Sequence, residues 1–290
     1  MSTTLRLGDL TVHRIVEMEI PFTDPYEFMP GLTPAQLEGN RGWMQDMRAL
    51  DPDTGKLVLC FQSYVVRTPH HVILVDSCVG NDKDRATRPP WHMKTDDAWM
   101  RGLAAHGLSV ADIDIVMCTH LHVDHVGWNT RLENGRWVPT FPKARYLFSK
   151  KEYDYWAEQN ARTPIACIAD SVLPITEAGR ADLVSSSHAI DDDVRLIPTP
   201  GHTPDHFAVE IGRGRTAAIL TGDLIHSPLQ ARYPELWMRA DTDPQQGIAT
   251  RRAFLERATA ERILCCTGHF PSPSAARFSR QGDGFRCDPA

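Results

Sequence analysis

Residues Thr119–His125 read Thr-His-Leu-His-Val-Asp-His and place four metal-binding side chain types, His120, His122, Asp124 and His125, within six positions. They directly follow an apolar run, Ile113–Cys118, that reads as a buried strand. In extended backbone, residues two apart point to the same side, so His120 and His122 face one way. The chain must then turn, and Asp124 and His125 arrive at the start of the next element. As a purely structural choice the cluster is costly. Neighbouring imidazoles repel when protonated, and a buried carboxylate needs a partner. A metal ion removes both difficulties; a solvated polar loop is the alternative.

Three later positions share this context. Pro200-Gly201-His202 follows a strand ending near Pro198, Thr221-Gly222-Asp223 follows Thr216–Leu220, and Thr267-Gly268-His269 follows Arg262–Cys266. Each time an apolar strand ends, a glycine lets the backbone turn closely, and a ligand-type side chain follows. Strand ends gather at one edge of a sheet. His120, His122, Asp124, His125, His202, Asp223 and His269 can therefore converge across a long stretch of sequence.

The elements that must position these residues follow from pattern and punctuation. Val12–Glu19, Phe61–Thr68, Val72–Asp76, Ala144–Phe148, Val194–Pro198 and Phe207–Ile211 read as strands, with a turn at Pro69-His70-His71. Thr95–His106 reads as a helix, and Ser149 with Glu152 forms the capping-box signature of a helix running to about Gln159. Residues 164–179 read as weakly patterned helix. Asp243-Pro244 is an N-cap and first-turn proline for a helix reaching Ala260. Residues 21–56, rich in proline, glycine and acidic side chains, read as a long irregular segment, a flap or a dimer arm. The expectation is one domain over residues 1–290, with a homodimer possible through that arm.

Composition narrows the function. The chain has 290 residues and a net charge of −6, with no basic run, so nucleic-acid binding is disfavoured. No apolar run is long enough to span a membrane, and Met1–Leu10 lacks the apolar core of a secretory signal; the expectation is a cytoplasmic protein acting on a small molecule. The seven cysteines form no Cys-x-x-Cys pair and read as buried thiols.

The ordered set His-x-His-x-Asp-His, then Gly-His, Gly-Asp and Gly-His, resembles the metallo-β-lactamase superfamily from about residue 60 to 271. The resemblance implies an α/β protein built as a four-layer αββα sandwich with the site at one edge. By position, His120, His122 and His202 would bind one metal, Asp124, His125 and His269 a second, and Asp223 would bridge both. Asp76 matches an aspartate that orients a ligand histidine in this family. Histidine and carboxylate ligands suit zinc, and also iron or manganese. The function this implies is a dinuclear hydrolase whose metal-bridging hydroxide attacks a lactone or activated ester, with Asp124 and Asp223 handling protons.

The shared aspartate demotes β-lactam hydrolysis. Gly222–His226, Gln230, Asp241, Asp243 and the run from His269 to Pro273 resemble the lactonase and methyl parathion hydrolase branch, as does His125–Asn129. Ser272, Ser274 and Ala275 depart from the aromatic and glycine residues usual there. His226 reads either as a substrate or leaving-group contact or as a packed histidine. Trp128, Phe270 and Phe22 read as pocket walls or as core. His206, four residues after His202, reads as structural or as a partner standing behind a ligand. Other readings are a phosphotriesterase, a hydrolytic dehalogenase acting on an activated aromatic, a mononuclear iron oxygenase of the same fold, and a metal-stabilised binding protein.

Overall fold

A computed structural model describes residues 4–214 and 216–290. The reading of Met1–Leu10 falls partly on residues 1–3, which lie outside the described residues. The chain divides into two compact units. Of the described residues, the first takes those up to Met18 and Phe61–Ser186; the second takes Glu19–Cys60 and Ser187–Ala290.

The sheet of the first unit has seven strands in the order Thr4–Leu7, Leu10–Thr23, Leu57–Arg67, Val72–Val75, Ile115–Met117, Arg145–Ser149, Ala181–Val184. The last four run parallel, with Ile73 opposite Ile115, Val116 opposite Tyr146, and Phe148 opposite Leu183. Parallel neighbours end on the same side. That is why Asp76, just past Val75, and Thr119, two past Met117, emerge together. Beneath them lies a core of Trp99, Leu103, Val116, Phe141, Tyr146 and their neighbours. The Trp99 indole donates to Ser63 Oγ at 2.9 Å, so the largest buried side chain there has its one polar atom satisfied.

The second unit is built on six strands in chain order: Val194–Pro198, Phe207–Ile211, Ala218–Leu220, Leu264–Cys266, Ala275–Gln281 and Gly284–Pro289. The first two pairings are antiparallel and the third is parallel. Strands one, three and four therefore point the same way, and each is followed by a predicted ligand: His202, Asp223 and His269. Helix Pro244–Ala260 begins as expected, with Asp243 Oδ1 accepting from Gln246 N at 3.0 Å and proline in the first turn. Gly201 sits at φ 128° where a Cβ would lie 2.2 Å from Gly247 N, so only glycine lets the turn before His202 meet this helix.

The segment 21–56 departs from its irregular reading. It continues the strand Leu10–Thr23 and then carries helices Pro25–Phe28 and Pro34–Asp46. Two of the prolines that argued for a loop, Pro25 and Pro34, are first-turn residues behind the N-caps Asp24 and Thr33, and Thr33 with Gln36 closes a full capping box. The weak stretch 164–179 resolves into helices Ala166–Ser171 and Leu173–Glu177. The hairpin Thr130–Glu133 with Arg136–Pro139, and the final pair of strands, had no sequence expectation. The cysteines are buried thiols as expected, and burial pushes Cys167 up to about 12. Among the described residues, no helix is long and apolar enough to cross a membrane.

Candidate metal centre

In the first unit the turn after Ile115–Met117 packs three imidazoles together. The rings of His120 and His125 are 4.1 Å apart, and those of His120 and His122 are 4.6 Å apart. His120 and His125 are buried; His122 and Asp124 are half-buried. Asp76 organises the start of this turn. Its carboxylate accepts from Thr119 N at 2.8 Å and from Thr119 Oγ1, and Oδ2 lies 3.0 Å from His125 Nδ1. Thr119 Oγ1 in turn lies 3.1 Å from His120 Nδ1. Glu152, buried on helix Lys150–Arg162, accepts from Leu121 N at 3.4 Å and from the Trp156 indole at 2.6 Å. The edge of Trp156 meets the His122 ring at 5.4 Å. The predicted helix-capping residue thus also holds the backbone between the two histidines.

In the second unit, three imidazoles face one carboxylate. His202 Nε2 is 3.3 Å from Asp223 Oδ2, His226 Nε2 is 3.1 Å from the same oxygen, and His269 Nε2 is 3.0 Å from Oδ1. All four residues are buried. Asp223, His226 and His269 each offer a donor atom, all within 4.8 Å of one another. His206 fixes the backbone here: its Nε2 accepts from Asp223 N at 2.9 Å, and its Nδ1 bonds Thr199 Oγ1 at 2.7 Å.

The far nitrogens decide what these rings can do. His202 Nδ1 donates to Asp241 Oδ1 at 2.7 Å, and His269 Nδ1 donates to the Cys60 carbonyl at 2.9 Å. A carbonyl only accepts, so the His269 proton sits on Nδ1 and a lone pair on Nε2 faces Asp223. The bond to the Asp241 carboxylate fixes His202 in the same sense. Two lone pairs aimed at an anion are repulsive unless a cation lies among them. Burial alone would lower the His202 imidazole, but hydrogen bonds to Asp223 and Asp241 outweigh it and hold it at about 9. A proton or a metal ion on Nε2 meets that demand. Asp241 itself is penalised by burial, yet His202 holds it below the usual carboxylate range. Imidazoles braced through their second nitrogen by a carboxylate or a carbonyl are the arrangement metal-binding histidines adopt. The residues therefore fit divalent metal.

His226 differs. Its Nδ1 has no hydrogen-bond partner, and burial foremost lowers the ring to about 4. It is a neutral imidazole free to carry its proton on Nε2 and donate to Asp223. The ring lies parallel to His269 at 5.4 Å and meets the edge of Phe28 at 5.5 Å.

Within each unit the structure brings the predicted ligands together: His120, His122, Asp124 and His125 in the first, His202, Asp223 and His269 in the second. Two of the aromatics read as pocket walls or as core take the core alternative. Trp128 stacks on Trp99 at 5.6 Å in the core of the first unit, and Phe270 joins the core of the second. Their hydrophobic area is used in packing. Phe22 is half-buried. Sequence reasoning left His206 open between a structural role and a supporting one, named Asp241 only within the branch resemblance and not as the partner of His202, and passed over Arg251. The buried Arg251 guanidinium donates to the carbonyls of Leu224, Pro234 and Leu236, with Asp241 Oδ2 3.8 Å away. Asp241 lies eleven residues after Gln230, and nothing in its own stretch of sequence specified His202 as its partner.

Comparison with known proteins follows the same lines. Residues 62–269 match the Metallo-beta-lactamase superfamily. Metallo-beta-lactamase domain-containing protein 1 of Xenopus laevis is 26% identical over 186 residues, 64% of this chain and 64% of that protein. The match to protein C03F11.2 of Caenorhabditis elegans, 24% identical, covers 64% of this chain but 41% of that one. The chain thus spans less than two thirds of the length of these two relatives. N-acyl homoserine lactonase AttM of Azorhizobium caulinodans is 24% identical over 233 residues, 72% of this chain and 81% of AttM. Among solved structures, AidC, a dizinc quorum-quenching lactonase with the product N-hexanoyl-L-homoserine, superposes with a TM-score of 0.82 at 20% identity, covering 100% of this chain and 97% of AidC. The hydrolase AbOPH gives 0.81 at 22% identity, covering 100% and 97%. This chain belongs to the metallo-β-lactamase superfamily.

Proposed function

We propose that the protein is a dinuclear metal-dependent hydrolase of a lactone or an activated ester. His120, His122 and His202 would hold one divalent ion, Asp124, His125 and His269 the other, and Asp223 both; zinc suits these donors best. The observation that carries the reading is the bracing of His202 by Asp241 and of His269 by the Cys60 carbonyl, which turns both Nε2 lone pairs onto Asp223. Bound divalent ions would supply Lewis-acid polarisation of a carbonyl oxygen and a water acidified toward neutral pH.

The chain's own residues do the rest. Asp241 and the Cys60 carbonyl set the tautomers and orientations of His202 and His269, and Asp76 stands 3.0 Å from His125 Nδ1. His206 anchors Asp223 through its backbone, and His226 donates to the Asp223 side chain. Asp124 and Asp223 are the carboxylates able to take up and return a proton as the ester or lactone bond breaks. The lactonase reading of the substrate draws support from AttM and AidC, whose names specify that activity.

The test is metal analysis together with a panel of lactones, aryl esters, phosphotriesters and haloaromatics. The expected result is two metal ions per chain and the highest kcat/KM on lactones or aryl esters. One ion per chain in a fully active sample overturns the dinuclear assignment. Iron content with oxygen uptake selects an oxygenase instead, and preference for a phosphotriester moves the substrate class.

A further inference from the structure

Glu17 lies in the strand Leu10–Thr23 with its side chain fully buried. A carboxylate in that position is costly unless its oxygens are bonded. The hydrogen bonds that its carboxylate accepts come from two different turns of the first unit. Oε2 accepts from Val79 N at 2.8 Å, and Oε1 accepts from the Trp128 indole at 2.8 Å and from Gly80 N at 3.3 Å. Lys94 Nζ stands 3.5 Å away.

The two turns are those that carry Asp76 and His125. Residues 76–80 follow the strand Val72–Val75 in a conformation that side chains avoid: Asp76 has φ 57° and Cys78 has φ 49°. A residue with a side chain persists there only where its surroundings impose it. Here the imposing element is residues 125–128. Ser77 N donates to His125 O, Gly127 N to Cys78 O, and Trp128 N to Ser77 O, each at 2.8 Å. The approach is so close that a Cβ on Gly127 would lie 1.9 Å from the Val79 carbonyl oxygen. Glu17 closes the far end of this zipper by binding donors from both turns. At the near end, Asp76 lies 3.0 Å from His125 Nδ1 and accepts from Thr119, the residue before His120.

We propose that Glu17 is a positioning residue of the metal centre: it clamps the turn 76–80 to the turn 125–128 and thereby fixes Asp76 and the His125 imbedded between them. The inference rests on the dinuclear reading above. Glu17 touches no ligand, so its effect travels through the backbone zipper alone.

The experiment compares wild type, Glu17→Ala and Glu17→Gln by chelator competition for each bound ion, the visible spectrum of the cobalt-substituted protein, and amide exchange at Val79 and Gly80. Glu17→Ala should weaken one of the two ions about 10–100-fold, the range for losing an outer partner of a metal ligand. It should alter the cobalt spectrum and speed exchange at Val79 and Gly80. Glu17→Gln, which keeps the shape and one accepting oxygen, should fall between, and it carries the test if the alanine variant does not fold. Leu103→Ala, a cavity in the same core, is the control for general destabilisation and should leave both affinities within about 3-fold. Wild-type affinities in both Glu17 variants, or an equal loss in Leu103→Ala, would overturn the inference while the dinuclear reading stands. A wild type that binds fewer than two ions overturns that reading itself, and this inference with it.

Discussion

His202 Nδ1 lies 2.7 Å from Asp241 Oδ1, and that contact settles which side of the imidazole is available for chemistry. Asp241 is held in turn by Met238 N at 2.9 Å and stands 3.8 Å from the buried Arg251 guanidinium. The carboxylate is therefore fixed before the histidine meets it. Nε2 is left pointing at Asp223, where it carries a proton or takes a metal ion.

Replacing that carboxylate should loosen the centre without dismantling the fold. Asp241→Asn keeps the shape but lets an amide N–H face His202, which permits the wrong tautomer. Metal affinity should fall about 10–100-fold by chelator competition. Stability of the metal-free protein should fall by on the order of 1–3 kcal/mol, because Arg251 loses its nearby anion. Unchanged affinity would show that Asp241 serves packing alone.

His226 distinguishes two roles for one geometry. Its Nε2 is 3.1 Å from Asp223 Oδ2, as a ligand's or a donor's would be. The partnerless Nδ1 and the low proton affinity favour a neutral donor. His226→Phe should keep two metals per chain and lower kcat/KM by roughly tenfold, the size of one net hydrogen bond lost. His226→Gln should restore part of the loss. A metal count that drops from two to one in the phenylalanine variant would make His226 a ligand.

Glu210 sets an acid limit on the second unit. Burial disfavours its charge, but Arg257, Arg195 and Thr216 outweigh this and hold its carboxyl at about 2, against an ordinary 4.5. The folded value is the lower one, so the stabilisation is complete above the unfolded value and is lost as pH falls from about 4.5 toward 2. Glu210→Gln should cost on the order of 2 kcal/mol at pH 7 in urea unfolding, with a difference from wild type that shrinks across that window. A pH-independent difference would mean that the effect is steric.

The candidate metal-binding side chains could be picked out from the chain because the pattern that marks them is local. Each ligand follows a short apolar strand and a tight turn, and the period of two puts His120 and His122 on one side. Helix Pro244–Ala260 was legible for the same reason, since an aspartate N-cap and a proline act within one turn. The segment 21–56 obeyed identical rules but was misread, because prolines that start helices also populate loops. Trp128 and Phe270 show a different limit: an aromatic ring is equally suited to a core and to a pocket, and its own neighbours in sequence carry no information about which it joins.

The sequence by itself determined which side chains can bind metal and that they sit at strand ends. It could not specify what stands behind them. His269 is braced by a backbone carbonyl 209 residues away in the chain, and every residue has such a carbonyl. Asp241 reaches His202 from 39 residues away, and Glu17 reaches Trp128 from 111. These contacts are set by strand order and by the close packing of turns, which no local pattern encodes. Tertiary structure thus decided the tautomers, and the tautomers decide whether a histidine serves as a ligand or as a donor.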